Sequence, residues 1–61
     1  MNADLLKAER ELARGNPSQA RAAAWSAIAT VEPKELNRLR EVAAELDEKL
    51  LLAEIDRRGL L

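Results

Sequence analysis

Leu12–Ala22 reads LARGNPSQARA, and it places a glycine, an asparagine and a proline in a chain otherwise built for helix. All three disfavour helix interiors, so together they mark a corner. Gly15 supplies the left-handed residue that commonly closes a helix. Asn16 reads as the N-cap of the next one, with Pro17 at its first position, where a missing N–H is harmless. Gln19 stands three residues after Asn16, at capping-box spacing. One helix stops and the next starts with almost no loop, so the two are expected to be antiparallel neighbours.

Working outward, the segment before the corner predicts a helix over 3–14. Leu5, Ala8 and Leu12 line one face, Asn2 can cap its start, and Asp4 suits the positive end of the dipole. After the corner, a helix over 17–31 carries Ala20, Ala23, Ala24, Ala27 and Val31 on one face. These small residues let a neighbouring helix approach closely. Trp25 and Ile28 extend the apolar surface round one side. Pro33 then ends this helix and suits the first turn of a third.

The third helix is expected over 33–58, closed by Gly59. Leu36, Leu39, Ala43, Leu46, Leu50 and Ala53 form a heptad-like stripe. Glu45–Lys49 and Glu54–Arg58 fall at i,i+4 spacing. A helix of ~25 residues spans roughly 37 Å, whereas its two predecessors span only about 20 Å each. The last helix therefore overhangs the hairpin, and its tip, KLLLAEI (49–55), is apolar on several sides. Leu51 and Ile55 make a second face beside Leu50, and Leu52 a third. Such a tip reads as an interaction site; the hairpin, or the chain end through Leu60 and Leu61, is the other possible cover.

The bulk numbers agree with association. A domain of 61 residues is marginal by itself. With no Cys and no His, disulfide and zinc staples are absent. The formal charge of −1 and a single aromatic, Trp25, argue against nucleic acid as a partner. No apolar run approaches the ~20 residues of a membrane span. Polar and charged residues directly follow Met1, so no secretory signal is expected and a cytoplasmic protein is.

The stretch Ala8–Pro33 resembles a tetratricopeptide repeat. Gly15, Asn16 and Ala20 fit its Gly-Asp-x-x-x-Ala turn, Ala27 fits the second-helix alanine, and Pro33 matches the closing proline one residue late. Ala24 stands where that family prefers a large aromatic, and Glu9 and Glu11 stand near its small and aromatic positions. Leu39, Val42, Ala43 and Leu46 resemble the positions that open a following repeat, giving about one and a half repeats. The resemblance implies protein–protein interaction without catalysis, and arrays of such repeats need about three for stability.

Catalytic chemistry finds no support. Ser18, Ser26 and Thr30 have no His to activate them. Glu41, Glu45 and Glu48 follow helix-surface spacing, and both glycines stand alone, so no phosphate loop exists. No cofactor or metal is expected. Lys34, Arg38 and Arg40, with Arg21, form a small basic cluster that suits a helix-turn-helix regulator. Glu35 and Glu41 interrupt it.

The expectation is thus an all-α protein, a single small helical domain over 1–61 in which a hairpin precedes a longer third helix. Its function would be non-catalytic protein interaction: self-association as a homodimer or other homo-oligomer, or docking on a partner protein. Leu46, Leu50, Leu51, Leu52 and Ile55 would form the interface, with Trp25 and Ile28 at its rim. A small dimeric nucleic-acid-binding regulator is the alternative.

Overall fold

The computed structural model describes residues 2–59. They form four helices: α1 (Ala3–Ala13), α2 (Pro17–Ala27), α3 (Leu36–Glu45) and α4 (Lys49–Gly59). A 3-10 turn, Pro33–Glu35, precedes α3. The Cα radius of gyration is 10.2 Å, close to the ~10.5 Å expected of a compact chain of this length.

The corner at Gly15 forms as its residues dictate. Gly15 takes φ 81°. Its N–H donates to the Leu12 carbonyl at 3.1 Å, and the Asn16 N–H donates to the Glu11 carbonyl at 2.9 Å. That pair of bonds is a Schellman motif. Asn16 precedes α2, but its side chain does not cap it. The amide instead donates backward to Glu11 Oε1 at 2.9 Å, so the Asn16–Gln19 capping box is absent.

The long third helix does not form. The chain turns at Leu46–Glu48 and α4 folds back on α3. The turn repeats the device of the first one. Asp47 takes the left-handed conformation at φ 56°. Its N–H donates to the Ala44 carbonyl at 3.1 Å and the Glu48 N–H to the Ala43 carbonyl at 3.0 Å. Aspartate is one of the few residues with a Cβ that visits this region. The apolar phase gives the reason for the turn. Leu39, Val42, Ala43 and Leu46 share one helical face, but Leu51 and Ile55 do not continue it. A break lets both sets face one core. The Glu45–Lys49 pair is lost with the helix, since its two ends now lie on α3 and α4.

The α2 helix is also shorter than its expected end at 31. It stops at Ala27, and turns carry the chain through Thr30. Glu32, ahead of Pro33, is extended (φ −82°, ψ 156°), as a residue before proline prefers.

The core collects Leu5 and Ala8 of α1, the alanines of α2 with Ile28, Leu39, Val42 and Ala43 of α3, Leu46, and Leu51 and Ile55 of α4. Leu5, Leu39, Leu51 and Ile55 are its largest fully buried side chains. A polar knot closes one end. Asn2 Oδ1 accepts from the Leu5 N–H at 3.0 Å, which is the expected N-cap, and its amide donates to Thr30 Oγ1 at 3.0 Å. The buried Glu35 carboxylate accepts from the backbone N–H of Asn2 at 3.3 Å and of Glu32 at 3.4 Å.

Candidate interaction surface

The expected interface residues part company in the structure. Leu51 and Ile55 are fully buried within the chain, and Ile28 and Leu46 are buried beside them. The overhang is gone, and the surface it offered is spent on the chain's own core. Leu52 is half-buried against that core. Leu60 and Leu61, the other possible cover, lie outside the described residues.

Trp25 and Leu50 remain accessible, at 39% and 79% exposure. They line one shallow groove between α2 and α4 with Ala53, Glu54 and Arg57. Trp25 is held by its polar handle: the indole N–H donates to Glu48 Oε2 at 2.9 Å. Arg21 Nε reaches the same carboxylate oxygen at 3.3 Å. Glu48 follows the left-handed Asp47, so the turn itself aims the carboxylate at α2. The exposed indole face is thereby presented in a fixed orientation.

The outward side of α2 has a second property. Between Asn16 and Val31, Arg21 is the one charged residue, and it is half-buried and paired with Glu48. The residues facing solvent are Pro17, Ser18, Gln19, Ala22, Trp25, Ser26 and, past the helix end, Ala29 and Thr30. None is charged, in a chain of which 34% is. The sequence already held this signal in the spacing of Ala22, Trp25 and Ala29, which share one helical face.

Most of the basic cluster is engaged with carboxylates. Arg38 binds Glu9 of α1 through two nitrogens, Nε at 3.1 Å. That hydrogen bond first, then the charge of Glu9, holds the guanidinium above its ordinary pKa. Arg40 bridges to Asp56 of α4 at 2.8 Å and to Asn37 at 3.3 Å, with its Nε buried and unpartnered. Lys34 lies 3.6 Å from Glu32. On α4, Glu54 accepts from Arg57 and from Arg58. The Arg57 hydrogen bond is the main reason its carboxyl sits below the ordinary 4.5.

Among the described residues, no group of three or more carboxylates is placed to hold a metal ion. No helix there is long and apolar enough to cross a membrane. Set against known proteins, the chain matches no family model, no curated protein and no solved structure. It is an all-α chain of packed helix pairs without a family assignment.

Proposed function

We propose that the chain is a non-catalytic interaction module that associates with a second copy of itself through the outward face of α2 and Leu50 of α4. The observation that carries this is that the exposed α2 face around Trp25 holds no unpaired charge, its one cation, Arg21, being half-buried against Glu48. Interface centres are depleted of charge and enriched in tryptophan. The uncharged face also favours a copy as the occupant. In a two-fold dimer the same patch meets itself; its α2 part brings no unpaired charge to repel the copy, and at its α4 edge Glu54 and Arg57 are already paired with each other. Ala22 and Ala29 flank the indole with small side chains, which lets two helices approach closely.

The tetratricopeptide resemblance belongs to the same proposal. The left-handed residues Gly15 and Asp47 fall at a spacing close to the ~34-residue period of such repeats, and each closes a helical hairpin. Association would supply the neighbours that a short array lacks. The nucleic-acid alternative is weakened by the engagement of Arg21, Arg38 and Arg40 with carboxylates.

Light scattering behind a sizing column, across a concentration series, tests the reading. A molar mass of two chains or more is expected for the parent, and a monomer with unchanged helicity for Ala22→Glu and for Leu50→Glu. Both positions are exposed, so neither change touches the core. A parent that stays monomeric at millimolar concentration refutes the proposal.

A further inference from the structure

A second groove lies between α1 and α3 and shares no residue with the α2 face. It has a volume of about 250 Å³ and is open to solvent on one side. Its floor is apolar, made of Leu12, Ala13 and Val42. Its walls carry Glu9, Glu41 and Glu45, with Arg38 as the one cation. Arg38 is neutralised by Glu9. Glu41 and Glu45 make no ion pair among the described residues and stand exposed, so the open wall of the groove is anionic.

These two carboxylates do not serve the helix that bears them. They lie four residues apart on α3, where like charges repel. Glu45 also occupies the last residue of α3, at the negative end of its dipole. The turn at Asp47 removes Lys49, the cation that an unbroken helix would have set beside it. Groups placed against local stability are candidates for a recognition role.

We propose that this groove docks a cationic amphipathic helix, which sets one apolar side chain on Leu12, Ala13 and Val42 and meets Glu41 and Glu45 with Lys or Arg residues spaced one turn apart. The volume lies below the ~300–1,000 Å³ of small-molecule sites and suits a single side chain. Anionic walls repel phosphate, which excludes nucleic acid and anionic lipid from this face. The mode is an apolar anchor in a groove between helices, with charge setting the partner.

The test uses the full chain and a fluorescein-labelled helical peptide of roughly 15 residues, with one central leucine flanked by lysines. It is run on the parent and on Leu50→Glu, so that loss of self-association and loss of this docking are separable. Saturable binding is expected for both proteins. Affinity should fall roughly tenfold in Glu41→Lys/Glu45→Lys, as two rim charges are reversed, and binding should be absent for the same peptide with Glu in place of Lys. The double variant should keep the parent's helicity by far-UV circular dichroism and its cooperative urea unfolding, which separates a lost docking site from a lost fold. Three results overturn the proposal: no binding at millimolar peptide, equal affinity for the double variant, or equal affinity for a lysine peptide whose leucine is replaced by Asp. The last would reduce the effect to surface charge without a groove.

Discussion

Two left-handed residues turn this chain, and they carry different strain. Gly15 at φ 81° has no Cβ to conflict with its conformation, and a Cβ added there would meet nothing within 4 Å. Gly15→Ala therefore isolates the cost of the backbone angle, about 1 kcal/mol of stability by urea unfolding. Asp47 at φ 56° already bears that cost. Asp47→Gly should stabilise by up to about 1 kcal/mol in the same assay, whereas Asp47→Val should destabilise. The contrast also explains what could be read beforehand. A glycine followed by Asn-Pro signals its corner by type, while an aspartate between leucine and glutamate on a Glu-rich face does not. Glu35 is a similar case: it was legible only as a charge interrupting the basic cluster, yet it is buried and receives two backbone N–H groups. Glu35→Ala should cost about 1–3 kcal/mol, because the buried N–H of Asn2 and the part-buried N–H of Glu32 lose their acceptor. Glu35→Gln keeps an acceptor oxygen and should cost less. Amide exchange at Asn2 and Leu5 reports whether the loss is local to the knot.

At the scale of elements, α4 decides between the expected architecture and the observed one. Its apolar residues were legible as many-sided, and that was the trace of the turn. A stripe drawn through Leu46, Leu50 and Ala53 keeps one helix going, but Leu50 is 79% exposed while Leu51 and Ile55 are fully buried. The phase resets between Leu46 and Leu51, and only a chain reversal puts both on one core. Truncation separates the two architectures. Leu51→Ala or Ile55→Ala should cost about 2–5 kcal/mol, lowering Tm by more than ~8 °C in a chain of this size. Leu50→Ala should change stability by no more than about 0.5 kcal/mol. On an overhanging helix all three would have behaved alike. The C-terminal half of α4 also carries a pH signature. Because the Glu54 carboxyl is held below its ordinary 4.5 by Arg57 and Arg58, its contribution is present above pH 4.5 and is lost as pH falls through the lower folded value. Acid unfolding of Glu54→Gln should lack that component. Both arginines are exposed, so salt should shrink the difference between variant and parent.

For the whole molecule, the distribution of large side chains sets how it unfolds. The four largest buried chains come from α1 (Leu5), α3 (Leu39) and α4 (Leu51, Ile55). The α2 helix contributes mostly alanine, so the α1–α2 hairpin alone would enclose little beyond one leucine. Neither hairpin has a core without the other, and the chain should unfold in one transition. Trp25 can check this, because its indole hydrogen bond to Glu48 spans the two hairpins. Its fluorescence reports their docking, whereas far-UV circular dichroism reports helix content. The two melting curves should coincide; a fluorescence change at lower temperature, with helicity intact, would mean that the hairpins separate before they melt. The same experiment reaches the outward side of α2. If a second copy covers that face, association is linked to folding and Tm must rise with protein concentration. Leu50→Glu should abolish the rise while leaving the two curves coincident, since Leu50 lies outside the core. A concentration-independent Tm in the parent, with coincident curves, would describe a chain that folds as a single unit and closes its core alone, and it would leave the uncharged face of α2 without its copy.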